Sequence, residues 1–135
     1  IMPSLVGSEM CIRDSNYTHN CVVYTGTHDN DTVMGWYDTL KGADKKLCDD
    51  YLRLKNADGE PIPREQLPWE FVRAAMSSVA DLAIIPMQDY LGLGSEARIN
   101  IPSTLGINWK WRMGNGDFTK ELAGRIRSMT KLYGR

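Results

Sequence analysis

The chain has 135 residues, 42% of them hydrophobic and 24% charged, with a formal net charge of −1. That length suits one domain of average size, and the near-neutral charge gives no electrostatic case for nucleic acid or an anionic membrane surface. No apolar stretch reaches the roughly 20 residues a spanning helix needs, and no charged-then-apolar leader opens the chain, so neither a nucleic-acid nor a membrane partner is expected.

Cys11, Cys21 and Cys48 are odd in number and lack a C-x-x-C spacing. A disulfide framework or zinc knuckle is therefore not expected, and a reducing compartment is the simpler reading. No metal or other cofactor is expected. Cys21 reads as a small core residue. The first residue is Ile1, residues 1–15 show no clear period, and Ser8 to Ser15 (SEMCIRDS) resembles translated library-adapter sequence. Residues 1–15 are thus read as a non-native leader, set aside as a fusion scar would be.

Cys21 to Tyr24 is a short apolar run that ends in Thr25-Gly26-Thr27-His28-Asp29-Asn30-Asp31-Thr32. An apolar run ending in a dense polar cluster reads as a buried parallel strand delivering side chains to a site at its carboxyl end. Asp31 or Thr32 can cap a helix through Val33, Met34, Trp36 and Tyr37, and Gly42 breaks it. From about Asp44 to Lys55, Leu47, Cys48, Tyr51 and Leu52 form one helical stripe. A polar loop follows, Asn56 to Gln66, with Asp58-Gly59 as a turn signal.

A stronger helix starts near Pro68, a residue suited to a first turn, with Trp69, Val72, Met76, Val79, Ala80 and Ala83 at helical spacing. Trp69 is expected in the core, while Trp36, Trp109 and Trp111 are left open. Ala83 to Met87 reads as a second buried strand, with Pro86 near its end and Gln88-Asp89 beyond it. A Gly-rich loop, Gly92 to Ser95, leads to Arg98-Ile99-Asn100-Ile101-Pro102 and then Asn108-Trp109-Lys110-Trp111-Arg112. A last helix, about Thr119 to Tyr133, carries Leu122, Ile126, Met129 and Tyr133 on one face. The order implies an α/β fold with a parallel sheet and a right-handed crossover. Two strands cannot cover both faces and both edges of a parallel sheet, so the chain reads as part of something larger.

Five blocks carry a resemblance: Val22 to Thr32, Gly35-Trp36, Ile85 to Asp89, Leu91 to Asn100 and Asn108 to Arg112. In that order they resemble the 4-α-glucanotransferases, the amylomaltases or disproportionating enzymes of the α-amylase superfamily, over roughly Asn16 to Tyr133. The resemblance implies a (β/α)₈ TIM barrel with residues 16–135 as its carboxyl-terminal part, about the last two βα units, strands seven and eight. Such a barrel commonly needs about 250 residues.

The reaction implied is retaining transfer of α-1,4-glucan segments to the 4-hydroxyl of an acceptor glucan or glucose. A nucleophilic carboxylate and an acid/base glutamate about 5–5.5 Å apart do the bond-breaking. Both belong to earlier strands, so the chain by itself is expected to be inactive. Asp29 matches the family's third catalytic carboxylate, which binds hydroxyls of the sugar being cleaved. His28 matches a histidine on the same sugar, and Asn100 matches a sugar-contacting asparagine after the eighth strand. Arg98, in the same block, is a substrate-binding candidate or a loop-fixing guanidinium. The family commonly has Met where Ile99 stands and often has Gly where Ser103 stands. Its partners are maltooligosaccharides and starch- or glycogen-derived glucans, in bacterial cytoplasm or a plastid.

Other readings stand beside these. Asp29 could be a helix N-terminal residue near the dipole. His28-Asp29 is also similar to a pair that shares a metal in phosphohydrolases, which needs further histidine ligands; the other histidine is His19. A non-catalytic glucan-binding module derived from the barrel is the alternative function.

Overall fold

Two three-residue strands, each ending where polar residues begin, organise the molecule. In a computed structural model that describes residues 19–135, β1 (Val22–Tyr24) and β2 (Leu82–Ile84) pair in parallel, with Val22 opposite Leu82, Val23 opposite Ala83 and Tyr24 opposite Ile84. A parallel pair cannot close by a tight turn and needs a long crossover. Here it consists of α1 (Val33–Thr39), α2 (Gly42–Leu52) and α3 (Leu67–Ser77); α4 (Met87–Tyr90) and α5 (Lys120–Leu132) follow β2. The leader assigned to residues 1–15 lies outside the described residues.

The second strand is shorter and earlier than the Ala83–Met87 run suggested. Pro86 lacks an N–H and instead caps α4, so the ladder stops at Ile84. Similarly, α3 does not run on to Ala83. Ser78 is extended (ψ 163°), which ends the helix at Ser77, and Ala80 reaches the core from the turn beyond. On α2, only half of the expected stripe is buried. Leu52 is buried and Cys48 packs on the core, while Leu47 and Tyr51 are exposed. The two i,i+4 rows lie about 100° apart around the helix, and one of them faces the neighbouring helices. Burial pushes the Cys48 thiol up to about 12, which makes it an inert packing group.

Helix α3 is the hub of the core. Phe71 joins Val33, Met34, Tyr37, Leu52, Leu54 and Leu67 on one side. Trp69, Val72 and Met76 meet Leu122, Ile126 and Met129 of α5 and its C-cap Tyr133 on another, and Ala75 meets Val23 of β1. The α5 stripe and the core position of Trp69 are as the periodicity expects. Thr119 caps α5, its hydroxyl accepting the Leu122 N–H at 3.1 Å.

Beyond the strands, polar side chains tie the two carboxyl ends together. Asp89, 1% exposed, accepts the Thr25 hydroxyl at 2.5 Å and the Val33 N–H at 2.9 Å. One carboxylate after β2 thus grips both ends of the loop after β1. Asp31 adds a second tie: it accepts the Ser95 hydroxyl at 2.6 Å. Thr32 is the cap of α1, accepting the Gly35 N–H at 3.0 Å. Gly35 is required here by space. A Cβ on it would press on Ser95 Oγ and lie 2.7 Å from the Asp31 carboxyl.

These ties generate two expected outcomes in thermal unfolding of the folded protein. Gly35→Ala should part Asp31 from Ser95 and destabilise by about 1–3 kcal/mol, as over-packing does; a neutral substitution would mean the contact relaxes freely. Burial raises the Asp89 carboxyl above its ordinary value, opposed by the bonds from Thr25 and Val33. A raised folded value means this contribution to stability is full below about pH 4 and is lost as pH rises through the raised value. Asp89→Asn cannot titrate and turns an amide N–H₂ toward one of the two donors, at a cost of about 1–3 kcal/mol. The stability gap between wild type and Asp89→Asn should narrow as pH rises above about 4. A gap that widens over that range would contradict the assignment.

Candidate functional site

The loop after β1 is shaped by its own side chains. Asn30 Oδ1 accepts both the N–H of Thr27, at 2.8 Å, and its hydroxyl, at 2.7 Å, and this turn leaves His28 and Asp29 at the tip. Their side chains are 53% and 50% exposed, with His28 Nε2 3.2 Å from Asp29 Oδ1. Asp29 makes no cap to α1, since Thr32 does that.

The segment after β2 comes to the same place. Asn100 donates its backbone N–H to the His28 carbonyl at 3.1 Å and its side-chain Nδ2 to Asp29 Oδ1 at 2.6 Å. The two polar tips therefore lie at one end of the strand pair. Arg98 braces the junction: its Nε donates to the Asn100 carbonyl at 2.9 Å and a terminal nitrogen donates to the Asp29 carbonyl at 2.7 Å. These are contacts a loop-fixing guanidinium makes, and they use two of its five N–H donors on main chain. No described residue donates to Asp29 Oδ2, which keeps its acceptor capacity.

Chemically, this is a cluster suited to a polyol. A carboxylate accepts from hydroxyls, an asparagine amide donates and accepts, and an imidazole can do either. Among the described residues, no three of His, Cys, Asp and Glu are placed to hold a metal ion. A concavity lined by Met34, Arg64, Trp69, Tyr90 and Gly92 among others shares no residue with this cluster.

Several contributors were not singled out from the sequence. Asp89, Asp31 and Ser95 tie down the loop after β1. The signal for Asp89 was present, because it follows β2 as the His28-Asp29 tip follows β1. Trp109, left open by the sequence, sits with its ring centroid 5.2 Å from that of His28, tilted by 31°. Trp36 instead packs edge-on against Phe71 at 6.0 Å. Ser103 adopts φ +64°. A serine in this left-handed conformation bears roughly 1–2 kcal/mol of steric cost.

A family model described as 4-alpha-glucanotransferase matches residues 6–117. The 4-alpha-glucanotransferase of Clostridium butyricum is 48% identical over 121 residues, which cover 89% of this chain and 23% of that enzyme. The Thermus thermophilus enzyme of the same name is 46% identical over 112 residues, 82% of this chain and 22% of its own. The chloroplastic/amyloplastic enzyme of Arabidopsis thaliana is 45% identical over 123 residues, 89% of this chain and 20% of its own. Among solved structures, the amylomaltase from Streptococcus agalactiae in complex with acarbose superposes with a TM-score of 0.83 at 32% identity, covering 97% of this chain and 25% of that one. The chain thus spans between a fifth and a quarter of the length of these relatives. It is a small α/β piece of their architecture, and it belongs to the 4-alpha-glucanotransferase family.

Proposed function

We propose that the chain is the part of a 4-α-glucanotransferase barrel containing strands seven and eight, with β1 and β2 in those places. The full-length enzyme transfers α-1,4-glucan segments to the 4-hydroxyl of an acceptor glucan or glucose, with retention at the anomeric carbon. Its nucleophile and acid/base glutamate lie on other strands, and the chain alone is inactive. Two observations favour this placement over a free-standing module. Leu82 and Ile84 of β2 are 51% and 41% exposed, although strands of a parallel sheet are ordinarily covered on both faces. The acarbose-bound amylomaltase from Streptococcus agalactiae also accounts for almost the whole chain with one quarter of its length.

The observation that carries the catalytic reading is the 2.6 Å bond between Asp29 Oδ1 and Asn100 Nδ2. It joins the loops after both strands into one sugar-binding unit, with Oδ2 of Asp29 left for a substrate hydroxyl. As the sugar ring flattens toward an oxocarbenium ion, its 2-hydroxyl becomes more acidic. A carboxylate bond to that hydroxyl strengthens in the transition state and so accelerates the reaction. Asn100 keeps Asp29 aimed and contacts the same ring, His28 donates to a neighbouring hydroxyl, and Arg98 holds the two loops in register. The glucan substrate is met in bacterial cytoplasm or a plastid.

Conversion of maltotriose to longer glucans and glucose tests this. In the full-length enzyme, Asp29→Asn should lower kcat by about 10²- to 10³-fold, with KM changed far less, because the lost interaction belongs to the transition state. A fully active Asp29→Asn enzyme would reject the role. A full-length protein with no transfer activity of its own would point to a glucan-binding module instead.

A further inference from the structure

Trp109 is held in a conformation that packing alone does not explain. It takes φ +63°, a left-handed backbone in which a bulky aromatic is a genuine outlier costing on the order of 1–3 kcal/mol. Such a residue persists only where its surroundings over-determine it, and these do. The Trp109 N–H donates to the Ile99 carbonyl at 2.7 Å, immediately before Asn100. The Trp109 carbonyl accepts from Arg112 at 3.2 Å. Just upstream, the Asn108 side chain latches the turn between Asn100 and Trp109. Its Oδ1 accepts the Ile101 N–H at 2.9 Å, and its Nδ2 donates to the Thr104 carbonyl at 3.0 Å.

The result of this bracing is not burial. Trp109 remains 58% exposed, with its indole beside the His28 imidazole. Leu105 and Ile107 on the same loop are exposed too, but they carry no flat ring. A glucosyl ring presents hydroxyls at its rim and an apolar C–H face. Sites for such molecules pair a few fixed polar groups with a flat aromatic surface. Asp29, Asn100 and His28 supply the polar rim, and Trp109 supplies the missing apolar wall.

We propose that Trp109 is a substrate-contacting platform. Its indole packs on the C–H face of a glucosyl unit of the bound α-1,4-glucan, next to the hydroxyls held by Asp29 and Asn100. The left-handed backbone at Trp109 turns the ring toward the sugar. This rests on the glucan-transfer reading above and adds a specificity residue to that site.

The test uses the full-length enzyme with maltotriose as substrate and acarbose as ligand. Trp109→Ala should raise KM for maltotriose about tenfold while kcat stays within about threefold. Trp109→Phe, which keeps a flat ring, should recover most of the loss. A folding defect is separated by 5-fluorotryptophan labelling of the wild type. The ¹⁹F resonance absent from Trp109→Phe should shift when acarbose saturates the enzyme. An unchanged KM in Trp109→Ala, or a Trp109 resonance that stays fixed under saturating acarbose, would overturn the platform. Asp29→Asn in the same assay keeps the two readings apart. Loss of turnover there with an unaffected Trp109→Ala rejects only the platform, whereas full activity in Asp29→Asn rejects the transfer reading beneath it.

Discussion

A single buried carboxylate sets the geometry of everything at the polar end of this molecule. Asp89 accepts from Thr25, where the loop after β1 begins, and from Val33, where α1 takes over. Both ends of that loop are thereby fixed to the segment that follows β2. Burial opposes ionisation of Asp89, and two donated hydrogen bonds offset this only in part. The exposed tip can then be polar, solvated and still well placed, because its two feet are held in a dry interior. The Asp31–Ser95 bond and the close approach at Gly35 reinforce the same arrangement.

Held in this way, the tip can be assembled from both strand ends at once. His28 and Asp29 come from one loop, Arg98 and Asn100 from the other, and backbone bonds stitch them together. In the proposed reaction this matters because a group that stabilises developing charge must already be oriented when the charge appears. An Asp29 on a loose loop would spend its interaction energy on becoming ordered. Arg98, charged and beside the cluster, gives two of its N–H groups to backbone carbonyls, one in each loop.

Much of this was legible in residue order. Apolar runs ending in polar clusters marked both strands, and the 3.6-residue stripes marked α3 and α5. The blocks around His28-Asp29 and Arg98 to Asn100 named residues that the fold brings together. What could not be read was set by long-range partners. Pro86 ends β2 early because of where it sits in the ladder, and Leu47 and Tyr51 stay exposed because one of two adjacent rows on α2 meets a neighbour. The place of Asp89 after β2 was visible, but not that it is a buried clamp, because its partners are 64 and 56 residues away in sequence. Trp109 was undecidable for the same reason, since its meaning lies in its nearness to His28.

The exposed faces of Leu82 and Ile84 give the pair of strands its context. A two-stranded parallel unit with open faces and edges is stable when more strands and helices cover it, and a barrel provides that while keeping the carboxyl ends of its strands open to substrate.

The central claim is that Asp29 and Asn100 grip one sugar ring at the shared carboxyl end of β1 and β2. A crystal structure of the full-length protein with bound acarbose measures this directly. The account predicts Asp29 Oδ2 and the Asn100 side chain within hydrogen-bond reach, about 2.6–3.2 Å, of hydroxyls on the same ring. A sugar chain that runs elsewhere, leaving Asp29 in contact with protein or water alone, would contradict it.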